Sequence, residues 1–279
     1  MHSVQRVHYV HQTYNVHHTQ DTQGKKSEQE DNKRMQIITL AVQKGGTGKT
    51  TTAAALGQAA AYKKKRVLLI DLDPQGNLTY SLGADANLQG SYEFLNGSQA
   101  ADTIQTIDNI DIMAASQDLA TLKTEKGSAN RLRAALEPIK AKYDLIIIDT
   151  PPTAGEIQYN ALMASTGLII PLQADAFNLQ SLYQIADTAK AMQQHNKELK
   201  ILGVLFTMNS DRSTLARQMQ DSIINEARSL DINYLGEIRK GVAIKEAQAL
   251  QTSLYNYAPK SKPAEDYLSI LRRIVKGIK

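Results

Sequence analysis

The sequence predicts an α/β fold: a doubly wound, mostly parallel sheet with helices on both faces. Almost wholly apolar runs recur along the chain, at 66–71 (RVLLID), 144–149 (DLIIID) and 167–172 (GLIIPL). Segments with helical spacing of apolar residues alternate with them, for example 130–142 and 178–195. Continuous apolar strands between helices are typical of a parallel sheet that is covered on both faces. We expect residues 35–279 to form a single domain, because neither an internal repeat nor a long linker interrupts this alternation.

The composition excludes several classes of protein. The 279 residues include no cysteine, which excludes disulfides, iron–sulfur clusters and thiol catalysis. No apolar run approaches the ~18 residues that would span a bilayer, and the N-terminus lacks an apolar signal core, so we expect a cytoplasmic protein. The formal net charge of +4 allows a nucleic-acid partner if the basic residues are clustered.

Residues 1–34 differ in composition from the rest of the chain. They are rich in His, Gln, Thr, Asn and charged residues, and most of the histidines of the sequence lie here. The histidine spacing matches no structural zinc pattern. A segment of this composition cannot bury a core. We therefore expect a disordered leader, either native or foreign to the natural protein, and Met35 is a candidate for the natural start.

A glycine-rich loop follows the first predicted strand, at 36–42. Residues 43–51 read QKGGTGKTT, which departs from the pattern G-x-x-x-x-G-K-[ST] only at Gln43. Glycines in such a loop adopt positive φ, so that backbone N–H groups converge on phosphate oxygens at the start of the next helix. Lys49 can bridge the β- and γ-phosphates of ATP, and the Thr50 hydroxyl can ligate Mg²⁺. The predicted nucleotide-binding residues of this P-loop are Lys44, Gly45, Gly46, Thr47, Gly48, Lys49, Thr50 and Thr51.

Acidic residues follow two of the apolar strands. Asp71 and Asp73 flank a single residue in DLDPQGN, and Asp149 ends DLIIID. Strand carboxyl ends face the ligand crevice of a doubly wound sheet, so acids there can hold Mg²⁺ through water or orient an attacking water. Asp149 fits the Walker B role, a water-mediated contact to Mg²⁺. A strand-terminal acid can also simply cap nearby backbone, and this alternative stays open, above all for Asp71.

The run KGGTGKTT at 44–51 resembles the deviant Walker motif of the ParA and MinD superfamily of ATPases. DLDPQGN is similar to the switch I segment of ParA proteins, and DTPP at 149–152 is similar to their switch II. The resemblance extends from Met35 to the C-terminus. It implies a P-loop ATPase domain over 35–279, with ATP and Mg²⁺ as cofactors.

The same resemblance assigns roles to individual residues. It implies that Lys44 reaches across a nucleotide-sandwich dimer and acts in catalysis together with Lys49. It also implies that Asp73 positions the hydrolytic water. The implied magnesium site comprises Thr50, Asp71 and Asp149. Asn209 matches a position that often contacts adenine in this family.

The C-terminal third carries many basic residues with few acids among them. In Soj-like members a motif I-P-R-N-V-R-L-S-E-A with a DNA-binding arginine occupies this region, and the matching run here is IRKGVAIKEA at 238–247. Lys240 falls on the first arginine of the motif, whereas Ala243 falls on the second. A solvated basic face is the alternative to a DNA-binding one. Arg212 matches another arginine of the family, whereas Arg239 and Lys245 replace the proline and the serine of the motif, so the charge is redistributed. The predicted DNA-binding residues are therefore Arg212, Arg239, Lys240 and Lys245.

The leading hypothesis is a DNA-partition ATPase. Its ATP-sandwich dimer binds DNA non-specifically, on the nucleoid, and releases it on hydrolysis that is slow and stimulated by a ParB-like partner. A MinD-like positioning ATPase on a membrane is one alternative, suggested by the basic amphipathic segment 263–278. Packing of that segment on the domain is favoured, since AEDYL at 264–268 resembles the ending of Soj-like chains. A small-molecule enzyme similar to dethiobiotin synthetase is another alternative, and DLDPQGN argues against it.

Overall fold

The computed structural model describes residues 35–122, 128–175, 177–209 and 214–275. Its eight strands form one sheet in the order β3-β4-β2-β5-β1-β6-β7-β8. The pair β3–β4 is antiparallel, and the other neighbouring pairs are parallel. The predicted α/β fold is therefore confirmed. The strands are β1 (Gln36–Leu40), β2 (Val67–Asp71), β3 (Gln105–Ile107), β4 (Ile110–Met113), β5 (Leu145–Asp149), β6 (Gly167–Leu172), β7 (Lys200–Asn209) and β8 (Tyr234–Arg239).

Helices cover the sheet. Three clusters of buried apolar side chains lie between the helices and the sheet. The helices are α1 (Lys49–Tyr62), α2 (Asn77–Leu82), α3 (Ser91–Leu95), α4 (Ala100–Thr103), α5 (Arg131–Leu136), α6 (Glu156–Ala164), α7 (Phe177–Gln193), α8 (Thr214–Ser229), α9 (Val242–Ala249), α10 (Leu254–Tyr257) and α11 (Lys262–Ile274).

The central strands explain the apolar runs of the sequence. Every residue of β2, β5 and β6 is buried, because helices pack on both faces of these strands. Strand β5 pairs in parallel with β2 on one side and β1 on the other, and the register places Asp71 beside Asp149 and Leu40 beside Asp149. The carboxyl ends of three strands, and hence the P-loop after β1, therefore meet at one edge of the sheet.

Helix α1 carries the P-loop and lies inside the structure. Its small side chains allow a close approach to the sheet: a Cβ on Gly57 would lie 2.7 Å from a methyl carbon of Leu69. On its other side, the Thr52 hydroxyl is 3.2 Å from the Tyr267 hydroxyl of α11, and Tyr267 is only 1% exposed. The apolar face of α11 is thus buried against α1, as predicted for the last helix. Within the described ranges, no helix combines the length and apolar character needed to cross a bilayer.

Some predicted boundaries differ from the structure. The helical spacing at 130–142 yields only α5 flanked by two short 3₁₀ turns, because Pro138 cannot continue a helix. The segment between β2 and β4 forms the short helices α2 to α4, which the sequence analysis did not predict. The leader at 1–34 lies outside the described residues, so its predicted disorder stays a prediction.

A tight backbone contact at Gly90 generates a stability prediction. A Cβ on Gly90 would lie 2.1 Å from the carbonyl oxygen of Ala114, and that oxygen is fixed by a 2.8 Å hydrogen bond from the Ser91 N–H. We expect Gly90→Ala to lower the free energy of unfolding by about 1–3 kcal/mol, as overpacking does. Urea denaturation measures the change. The control is Gly45→Ala, whose Cβ would meet no atom within 4 Å; equal losses in both variants would contradict the prediction.

Candidate active site

The P-loop lies between β1 and α1 in the conformation that its glycines predict. Gly46 and Gly48 have φ angles of 75° and 85°, a left-handed region that favours glycine. Two side chains from β7 and from the residue after β6 hold the loop: the Thr207 hydroxyl donates to the Thr47 carbonyl at 2.7 Å, and the Gln173 amide donates to the Gly46 carbonyl at 2.6 Å. These two contacts have no signal in the sequence, because they depend on the order of β6 and β7 in the sheet.

Lys49 is buried at the first turn of α1. Its ammonium donates to the Lys44 carbonyl at 3.1 Å. Burial lowers the pKa of Lys49, and the negative charges of Asp149 and Asp73 oppose that shift. The side chain predicted to bind phosphate is therefore positioned within the electrostatic range of both carboxylates.

Lys44 makes an ion pair within its own chain. Its Nζ lies 2.7 and 2.8 Å from the two carboxylate oxygens of Asp175, which follows β6. The Asn178 amide donates to the same carboxylate at 2.7 Å. Lys44 thus points towards Asp175, whereas Lys49 of the same loop is buried within the electrostatic range of Asp149 and Asp73.

Asp71 is enclosed by hydrogen-bond donors of its own chain. One carboxylate oxygen accepts from the Asp73 N–H at 3.1 Å, and the other accepts from the N–H and the hydroxyl of Thr79, both at 2.8 Å. Burial raises the pKa of Asp71 to about 6, and the hydrogen bonds from Thr79 oppose that shift. These contacts favour the capping alternative for Asp71 over direct ligation of a metal, because both of its oxygens already accept hydrogen bonds.

Asp149 has an oxygen suited to a cation. Its Oδ1 accepts from the Thr150 N–H at 3.1 Å, while its buried Oδ2 has no hydrogen-bond partner among the described residues. Burial raises the pKa of Asp149 well above its usual range, Asp71 adds to the rise, and the nearby Thr50 hydroxyl opposes it. A buried carboxylate oxygen without a donor, next to a hydroxyl, fits Mg²⁺. Thr50 and Asp149 are the residues that would hold it.

Asp73 lies in the turn after β2 and is only 8% exposed. Its Oδ1 accepts from the Gln75 N–H at 3.1 Å, and its carbonyl accepts from the Gly76 N–H at 2.9 Å. The turn therefore fixes the carboxylate on the same side of the sheet as Lys49, whose pKa it influences.

The four residues predicted to contact DNA have different surroundings. Arg239 donates to Asp266 from Nε at 2.9 Å and from Nη2 at 2.6 Å, and its backbone N–H donates to the same carboxylate at 2.9 Å. This pairing ties β8 to α11 and departs from the expectation of a cation directed at DNA. Lys240 and Lys245 are exposed. Arg212 and the side chain of Asn209 lie outside the described residues.

Comparison with known proteins identifies the family. The model of a family described as AAA domain matches residues 35–201. Sporulation initiation inhibitor protein Soj of Bacillus subtilis is 39% identical over 249 residues, which cover 85% of this chain and 97% of that protein. The chromosome-partitioning ATPase Soj of Thermus thermophilus is 34% identical, over 87% of this chain and 96% of that protein. The chain belongs to the ParA/Soj family of partition ATPases. The predicted ATPase activity is thereby confirmed.

Solved structures agree with this membership. Cobyrinic acid a,c-diamide synthase of Mycobacterium smegmatis, with an ATP analogue and magnesium, has a TM-score of 0.74 and 31% identity, over 85% of this chain and 93% of that one. An ATP complex of a McdA variant from Cyanothece has a TM-score of 0.75 and 25% identity, over 88% of this chain and 97% of that one. The prediction that ParA/Soj members such as this chain use ATP and Mg²⁺ is confirmed.

The carboxylates of the site generate a prediction about pH. An aspartate in the unfolded chain ionises near pH ~3.9. Since folding raises the pKa of Asp149, the folded state binds its proton more tightly, and that contribution to stability is lost as pH rises from the unfolded pKa towards the folded one. We expect Asp149→Asn without nucleotide, in EDTA, to melt at a higher temperature than the natural protein at neutral pH. The difference should shrink towards the pKa of the unfolded chain.

Thermal melting over a pH series measures this effect. Asp85→Asn is the matched control, since the N–H groups of Asn87 lower the pKa of Asp85. Asp85→Asn should not raise the melting temperature at neutral pH. If Asp149→Asn melts at or below the natural protein at neutral pH, the predicted cost of ionising this carboxyl is wrong.

Proposed function

We propose that this partition ATPase forms an ATP-sandwich dimer that binds DNA non-specifically and releases it on hydrolysis. The proposal rests on the different surroundings of the two lysines of the P-loop. Lys49 is buried beside Asp149 and Asp73, where the phosphates of its own nucleotide would lie. Lys44 extends to Asp175 instead. Lys49 already serves the phosphates bound by its own loop. Lys44 can therefore bind the nucleotide of a second subunit.

The residues of the site support a sequence of roles in hydrolysis. Lys49 and the backbone N–H groups of the P-loop bind the β- and γ-phosphates. Thr50 and Asp149 would hold Mg²⁺, which would neutralise phosphate charge. Asp73 orients the attacking water. Lys44 leaves Asp175 for the partner's nucleotide, so that each subunit completes the other's site.

The proposed DNA surface is formed by Lys240, at the end of β8, and Lys245, on α9. Both are exposed, and Arg239, the last residue of β8, is fixed by its contacts with Asp266 directly before Lys240. One such patch binds phosphate weakly, because each contact adds little and is screened by salt. A dimer presents two patches on one body, which raises the effective concentration of the second once the first is bound. We propose a nucleoid-associated, cytoplasmic protein whose hydrolysis a ParB-like partner stimulates.

The role of Lys44 gives the first prediction of this model. Lys44→Ala should leave ATP binding to the monomer largely intact, since Lys49 is retained, but should prevent dimerisation with ATP. Light scattering with ATP and with ADP measures the mass, and titration with a fluorescent ATP analogue measures affinity. The exposed Lys142 serves as the control position, and Lys142→Ala should dimerise normally. A Lys44→Ala protein that still dimerises with ATP rules out the cross-subunit role.

Retention on an unrelated duplex gives the second prediction. Binding should require ATP, and binding in ADP should match that without nucleotide. Over a salt series, Lys240→Ala should reduce the slope of log K against log salt by ~0.9 for each DNA phosphate that the lysine neutralises, whereas Lys142→Ala should not. Equal retention in ATP and ADP would contradict gating by ATP. Binding to anionic liposomes without DNA binding would favour the MinD-like alternative.

A second candidate function is an ATP-dependent enzyme acting on a small molecule. The 31% identity to the M. smegmatis synthase favours it, as does a cavity of about 340 Å³ beside both switch segments. Pro74, Pro151, Glu156 and Gln158 are among its lining residues. The DNA experiment separates the two functions, since such an enzyme would retain no DNA in any nucleotide state.

A further inference from the structure

The carboxylate of Asp71 binds both ends of the segment that follows β2, residues 73–79. One oxygen of Asp71 accepts from the N–H of Asp73, at the start of the segment, and the other accepts twice from Thr79, on α2. The loop between these two attachment points carries the turn that orients the Asp73 carboxylate. The position of Asp73 therefore depends on how firmly both ends of the segment are attached to Asp71.

The Thr79 hydroxyl joins this carboxylate to a third part of the chain. It donates its proton to Asp71 at 2.8 Å and accepts from the backbone N–H of Ala115, just after β4, at 2.8 Å. Thr79 is 2% exposed, so water cannot readily replace either bond. The Thr79 hydroxyl therefore acts as donor and acceptor at once, which a methyl group in its place could not do.

We propose that Thr79 is a positioning residue for ATP hydrolysis. Its hydroxyl fixes Asp71 and α2 against the end of β4, and Asp71 in turn holds the backbone of Asp73 in the geometry needed to orient the attacking water. This inference rests on the proposed role of Asp73. The Thr79 hydroxyl bonds to Asp71 and Ala115, neither of which belongs to the P-loop, so its loss should affect turnover and leave nucleotide binding intact.

Substitution of the hydroxyl tests the proposal in the full chain. Thr79→Val keeps the shape of the side chain and removes both hydrogen bonds, and Thr79→Ser keeps the hydroxyl. We expect Thr79→Val to lower kcat for Mg²⁺–ATP by about 10- to 100-fold, as misplacement of a catalytic group does. The affinity for a fluorescent ATP analogue should be unchanged, and Thr79→Ser should restore kcat.

The matched control is a second buried hydroxyl on the same helix. Ser81 is 6% exposed, and its hydroxyl donates to the Asn77 carbonyl of α2 at 2.7 Å, a bond within the helix itself. Ser81→Ala should keep kcat. The proposal is overturned if Thr79→Val keeps kcat as Ser81→Ala does, if Thr79→Ser loses as much kcat as Thr79→Val, or if Thr79→Val loses ATP affinity in parallel with kcat.

Two further measurements keep the result interpretable. If Thr79→Val does not fold, Thr79→Cys is compared with Ser81→Cys; a lower kcat only in Thr79→Cys supports the proposal, and equal kcat values overturn it. Asp73→Ala is measured alongside. Normal turnover in Asp73→Ala would refute the water-orienting role itself, whereas an inactive Asp73→Ala with a normal Thr79→Val refutes only the role of Thr79.

Discussion

The parallel pairing of β2 with β5 is the constraint on which the rest of the site depends. It places Asp71 and Asp149 side by side, both fully buried. Two desolvated carboxylates so close together resist ionisation, and each needs a different form of compensation. Asp71 obtains it from N–H and hydroxyl donors of the following segment. Asp149 keeps an oxygen without a partner among the described residues, which leaves a place for a cation.

Neighbouring acids pair with two of the cations to which the sequence assigned a function. Lys44 is paired with Asp175, and Arg239 with Asp266. The two pairs differ in consequence. Asp175 is 39% exposed at its side chain, so the bond to Lys44 is accessible to water and weakly retained. The side chain of Asp266 is 15% exposed and binds the arginine through two nitrogens, which suits a permanent connection between β8 and α11.

The P-loop, the sheet and the family could be predicted because their signals are local. Glycines and lysines at fixed spacing specify the loop, and apolar runs specify buried strands. The partner of Arg239 could not be predicted, because Asp266 lies on another element that the topology brings to β8. The partners of Asp71 are near in sequence, but they depend on the turn after β2 and on α2, a helix that the sequence pattern did not indicate. The helix indicated by the spacing at 130–142 is shorter in the structure for a local reason, because Pro138 interrupts it. Thr207 and Gln173 had no signal in the sequence alone, as they contact the loop only through the order of β6 and β7.

The burial of α1 under α11 has a consequence for biosynthesis. The hydroxyl contact between Thr52 and Tyr267 spans 215 residues of chain, so the helix that supports the nucleotide loop is covered by residues that the ribosome adds much later. Until these residues emerge, the alanine-rich surface of α1 lacks its cover. Closure of this part of the core is therefore a late, long-range step of folding. A nascent chain that stops short of α11 exposes apolar surface beside its ATP site.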